Sequence, residues 1–147
     1  MSKEFKGRPV IAGSISGEAV VSEQGVNTLA TFQKSALMHK KQVIGSDQNN
    51  PGVYNKLISG KILCLPQTIG STTGGMVLYT VTALNMAPGA MLFSESIDSL
   101  AAAGVILADV WTNGTIVTVD RLGKEFLEYV KDGMKITVKE DGTVIVD

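Results

Sequence analysis

Residues 59–79 constrain this chain more than any other stretch. They read Ser-Gly-Lys-Ile-Leu-Cys-Leu-Pro-Gln-Thr-Ile-Gly-Ser-Thr-Thr-Gly-Gly-Met-Val-Leu-Tyr, an apolar run, a glycine and hydroxyl loop, and a second apolar run. Positions 61–65 predict a short buried strand, stopped by Pro66, which has no N–H to give a ladder. Residues 67–75 hold Gly70, Gly74 and Gly75 around the adjacent hydroxyls Ser71, Thr72 and Thr73, so a ligand could approach the backbone closely. Positions 76–84 predict a helix whose first free N–H groups a preceding Ser or Thr can cap. Those same groups and the helix dipole attract a carboxylate or phosphate.

Several chemistries are excluded by spacing. A phosphate-cradling P-loop needs Lys and Ser/Thr after its last glycine, and here Met76 and Val77 follow Gly75. The dinucleotide fingerprint needs glycines at first, third and sixth positions, which this loop lacks. Ser71 has no glycine two residues to either side, as a nucleophile elbow requires, and the one histidine, His39, lies far upstream. The local residues leave two readings open: a ligand site, or hydroxyls that only cap a helix.

With 147 residues the chain is the size of one domain, 1–147, able to bury about 70% of its unfolded surface. The hydrophobic fraction of 44% against 18% charged residues indicates a compact fold with a covered face. Net charge is −1 and the thirteen basic residues are scattered, which disfavours nucleic acid as a partner. Cys64, the only cysteine, sits in an apolar strand and is expected to be a buried hydrophobe, neither a disulfide partner nor part of a metal site carried by this chain. The first residues lack the apolar core of a secretion signal and no run reaches the roughly 18 apolar residues of a membrane span. A cytoplasmic location with no membrane contact is expected. Asn113-Gly114 then reads as a tight turn and not a glycosylation acceptor.

Along the chain, 8–11 and 18–22 predict strands that could pair as a hairpin across the polar turn 13–17. Residues 23–50 read as an irregular excursion with a strand near 42–44, closing on the turn Asn49-Asn-Pro-Gly52. After the helix at 76–84, 90–93 predicts a buried strand, 96–104 a short helix with a glycine stop, and 105–108 another strand. Further strands are expected at 115–119, 134–138 and 143–146, with an amphipathic piece at 126–130 and a final hairpin. Asp98, Asp109, Asp120 and His39 read as exposed polar residues. The pattern argues for a mixed α/β fold, a mixed sheet arrangement carrying a few helices.

Five pieces in register extend this reading. Gly7-Arg-Pro-Val-Ile-Ala-Gly13 with Gly17-Glu-Ala-Val-Val21, Ile58-Ser-Gly-Lys-Ile-Leu-Cys-Leu-Pro66, Gly70-Ser-Thr-Thr-Gly74, Ala87-Pro-Gly-Ala90 and Ala103-Gly-Val-Ile-Leu-Ala108 together resemble the small swivelling subunit of the aconitase X family. The resemblance spans nearly the whole chain. It implies a swivelling β/β/α domain like the mobile domain of aconitases, and dehydration of a hydroxy acid in complex with a larger subunit that carries an iron or iron–sulfur centre. It implies Ser71 as the acid/base, with Gly70, Thr72, Thr73 and Gly74 holding substrate. An unassisted serine is a poor base at neutral pH, so N–H groups or a cation must stabilise its alkoxide. The chain departs from the pattern at Thr68-Ile69, where many relatives carry an Arg or a similarly polar residue, and at Gly75, where a further Ser is usual. The lost Arg removes a bidentate anion clamp. With no basic cluster near the loop, cis-3-hydroxy-L-proline or another small hydroxy acid is expected ahead of 5-phosphomevalonate. The alternative is a non-catalytic domain that binds a small molecule or a protein.

Overall fold

The computed structural model describes residues 2–37, 41–70 and 74–147. The first part of the chain forms β1 (Lys3–Lys6), β2 (Arg8–Ile11), β3 (Ile15–Val21), β4 (Val26–Asn27) and α1 (Thr28–Leu37). Next come β5 (Ile62–Leu65), β6 (Thr68–Ile69), α2 (Gly74–Ala83), β7 (Ala90–Phe93) and α3 (Ser99–Trp111). The remainder is β8 (Val117–Asp120), α4 (Lys124–Tyr129), β9 (Lys135–Val138) and β10 (Thr143–Val146).

Eight strands make one mixed sheet in the order β1-β10-β9-β3-β5-β7-β8-β2, while β4 and β6 pair separately. The four central strands β3, β5, β7 and β8 are parallel, and the outer pairings are antiparallel. Alternation along the central strands explains the layering. Leu63 and Leu65, with Met91 and Phe93, pack against Phe32, Leu78, Val81, Ala101 and Val105 of the helices. Ile62 and Cys64, with Ala90 and Leu92, face the opposite way, onto Phe5, Phe126, Ile136 and Val144. Consecutive side chains of a strand point to opposite faces, so a strand covered on both sides must be apolar throughout, as β5 and β7 are. The result is a helical layer, a central parallel sheet, and a third layer made by the outer strands with α4. This is the mixed α/β, β/β/α arrangement expected.

β7 and β10 lie where the sequence pattern puts them, and β5, β8, β9, α2 and α4 are displaced by at most two residues at most ends. Three expectations are corrected. The strands at 8–11 and 18–22 do not pair as a hairpin: β2 lies at the sheet edge on β8, and β3 lies centrally between β9 and β5. The excursion at 23–50 contains β4 and α1, and the expected strand near 42–44 is reduced to a single bridge between Ile44 and Leu57. Residues 105–108 are not a strand but the middle of α3, which continues through Gly104 to Trp111. Its buried residues Ala101, Gly104, Val105 and Ala108 follow helical spacing, but apolar Ile106, Leu107, Val110 and Trp111 on the exposed side hide that period.

Candidate functional site

Because β3, β5, β7 and β8 are parallel, their carboxyl ends share one edge of the sheet. In open α/β sheets ligands bind in the crevice outside those ends. The glycine and hydroxyl loop leaves β5 at this edge. Pro66 ends the strand, and β6 then pairs in parallel with β4 through Val26 with Thr68 and Asn27 with Ile69. Asp98 fastens the loop: its Oδ1 accepts from Thr68 N–H at 3.0 Å and from the Thr68 hydroxyl at 2.7 Å. Its Oδ2 accepts from Ala101 N–H at 3.0 Å, capping α3. One carboxylate therefore ties the base of the loop to a helix start. Asn27 does the same for α1 through Ala30 N–H at 3.0 Å.

Gly70 has φ +105°, and a Cβ there would stand 2.8 Å from Asn27 Nδ2, so both backbone and neighbour demand glycine. A cleft of about 160 Å³ opens beside it, lined by Thr28, Thr68, Gly70, Asp98 and Leu100. On the far side of the loop Gly75 packs against α3. A Cβ on Gly75 would lie 2.5 Å from the Leu100 carbonyl oxygen, and one on Gly104 2.6 Å from the Gly75 carbonyl oxygen. At Gly75 two helix backbones touch and leave no room for a side chain, which fixes the start of α2. Ser71, Thr72 and Thr73 lie outside the described residues, as does His39; Gly70 and Gly74 bracket the three hydroxyl residues. A separate, larger cleft of about 450 Å³ is lined by Glu23, Pro66, Ser94, Glu95, Lys124, Leu127 and Glu128.

Two of the three acids differ from expectation. Asp109 is exposed, accepting from the Thr115 hydroxyl at 2.9 Å. Asp98 is half-buried and engaged as above. Asp120, at the end of β8, is completely buried. Arg8 reaches it from β2 with Nε on Oδ1 at 2.9 Å and Nη2 on Oδ2 at 2.6 Å, and Ile97 N–H adds a third bond at 2.8 Å. Burial works against its ionisation, but the Arg8 guanidinium and the Ile97 N–H outweigh it and hold the carboxyl below its ordinary value. Sequence reasoning missed these anchors. Asp98 carried a usable signal, since it precedes the apolar run of α3 at capping distance. Asp120 carried none, because its partner is 112 residues away.

An iron–sulfur centre does not fit the donor set of this chain. Cys64 is fully buried in β5, and burial pushes its thiol well above the usual thiol range, opposite to what a metal thiolate needs. Among the described residues no three His, Cys, Asp or Glu side chains gather as metal ligands. Nor, among them, is any helix long and apolar enough to cross a membrane.

The chain as a whole is similar to known proteins. A family model described as "Aconitase X swivel domain" matches residues 4–146. The chain is 30% identical over 140 residues to the phosphomevalonate dehydratase small subunit of Methanocella arvoryzae, covering 95% of this chain and 94% of that one. It is also 30% identical to the protein of that name from Thermococcus kodakarensis, over 94% of this chain and 91% of the relative. Its fold matches the crystal structure of Thermococcus kodakaraensis aconitase X in its holo-form with a TM-score of 0.82 at 29% identity, covering 99% of this chain and 98% of that one.

Proposed function

The chain belongs to the aconitase X swivel domain family, and we propose that it is the small subunit of a cytoplasmic two-chain hydro-lyase that dehydrates phosphomevalonate. The single observation that carries the reading is the glycine and hydroxyl loop held at the carboxyl edge of the parallel strands by Asp98 and by the Gly75–Gly104 contact. The names of the relatives favour phosphomevalonate over the hydroxyproline expected from the lack of basic residues near the loop.

Elimination of water requires removal of a proton next to a carbonyl or carboxylate and assisted departure of hydroxide. In this reading Ser71 moves the proton. Gly70, Thr72, Thr73 and Gly74 hold an oxygen of the substrate, helped by the free N–H groups at the start of α2. The iron centre implied by the family resides in the larger partner, since the donors here do not fit it. A partner is also in keeping with α3, whose Val110 and Trp111 are 65% and 71% exposed beside Ile106 and Leu107.

The test is to co-purify the chain anaerobically with its larger partner and assay phosphomevalonate and cis-3-hydroxy-L-proline. Phosphomevalonate should be turned over, and Ser71→Ala should abolish turnover while the complex stays intact. Full activity in that variant, with stability lowered by only about 0.5–2 kcal/mol as for a lost cap, would leave the hydroxyls a structural role alone.

A further inference from the structure

Among the described residues three other than glycine hold left-handed backbone: Asn55, Asn85 and Arg121, with φ of 59°, 59° and 58°. Asparagine adopts this conformation readily, whereas a long side chain there costs backbone energy that glycine would not. Such residues persist where the surrounding structure holds them, and they gather at functional sites. Arg121 is held firmly. It follows Asp120 at the carboxyl end of β8, and its N–H donates to the Glu95 carbonyl at 3.0 Å. Leu122 and Gly123 then bond to the Phe93 and Ser94 carbonyls at 3.1 and 2.8 Å.

The side chain is placed as well. Arg121 is exposed, yet its Nε donates to the Ser96 hydroxyl at 3.0 Å. It forms no ion pair with a described residue: Asp120 is taken by Arg8, and Lys124 pairs with Glu128. Among the described residues Nη1 and Nη2 therefore have no partner, and they form a fork of donors suited to a carboxylate or phosphate. Ser96 lies two residues from Asp98, at most about 7 Å along the chain, and Asp98 holds the base of the Gly70 loop. In the connections that leave the four parallel strands, 22–25, 66–73, 94–98 and 121–123, Arg121 is the only basic residue.

We propose that Arg121 is a substrate-binding residue that grips an oxyanion group of the substrate, phosphate or carboxylate, and so supplies from β8 the clamp that Thr68-Ile69 lacks. This rests on the dehydratase reading above. The experiment compares the assembled enzyme with its Arg121→Gly and Arg121→Lys variants, using phosphomevalonate and unphosphorylated mevalonate. Arg121→Gly should raise KM for phosphomevalonate about ten- to a hundredfold, the loss of a charged hydrogen-bonded contact, while Tm holds or rises because glycine relieves the backbone. Arg121→Lys should recover part of the affinity. A KM penalty confined to phosphomevalonate assigns the phosphate, and an equal penalty on both substrates assigns the carboxylate. An unchanged KM in Arg121→Gly overturns the proposal, as does a fall in Tm with KM untouched.

If the wild-type complex turns over neither substrate, the dehydratase reading fails separately. Titration of the full chain with inorganic phosphate and with acetate, followed by NMR, then decides the matter. Shifts at Arg121 and Gly70 that vanish in Arg121→Gly support the proposal, and their absence in the wild type overturns it.

Discussion

Asp120 is a carboxylate withdrawn completely from water and paired with Arg8, itself half exposed, with the charge of Arg121 acting on it from further off. Its native pKa lies below the ordinary 3.8. The stability it contributes is therefore complete above that value and is lost as pH falls through the native one. Arg8→Met removes the guanidinium and leaves the burial, which raises the carboxyl. We expect a lower Tm near neutral pH and a gap to the wild type that narrows as pH is lowered through 3.8, measured by thermal melts across pH 3–7. A gap independent of pH would mean that Arg8 acts by packing. None of this is visible locally: Asp120 sits where a turn acid would, and only tertiary pairing brings β2 to β8. Cys64 is the opposite case. Its apolar neighbours announced its burial because the strand is covered on both faces.

At the scale of elements, the pairs that could be read were short, strongly apolar and bounded by breakers, such as β7 after Pro88-Gly89 and the β9–β10 hairpin around Gly142. α3 was misread because its exposed face is nearly as apolar as its buried one, and because Gly104 looks like a stop when it is a crossing point. Gly104→Ala would force α3 from α2. We expect a loss of about 1–3 kcal/mol in urea unfolding, and a larger proportional loss of turnover in the complex because the start of α2 moves with it. On the other face, Val110→Ser with Trp111→Ser should leave the folding midpoint within about 0.5 kcal/mol but weaken assembly with the larger chain, read by sedimentation or calorimetry. The candidate loop was legible by its composition. What anchors it was not, since Asn27 comes from β4, and Asp98 and Gly104 from the cap and the body of α3, all distant in sequence from the loop.

The whole molecule depends on a connection that no local pattern reveals. β1 and β2 are separated only by Gly7, yet they occupy the two opposite ends of the eight-stranded order. Gly7 N–H donates to the Gly142 carbonyl at 3.0 Å, and a Cβ on Gly142 would stand 2.5 Å from the Gly7 carbonyl oxygen. The sheet is thus curled until its two end strands meet at Gly7, which the β9–β10 turn holds through Gly142. Removing residues 1–6 should uncover β10 and one side of Phe126, which Phe5 covers at a ring separation of 5.3 Å. We expect the shortened chain to self-associate in light scattering, as an unpaired edge does.

The same closure sets an order of events in the making of the protein. Of the strands named above, β1 is made before the others and its partner β10 after them. β1 must therefore wait, unpaired, while the strands between them are translated. The parallel strands between them can assemble earlier, but the ring shuts only when the newest strand reaches the oldest, so a chain interrupted late in translation keeps both margins of its sheet open to other chains.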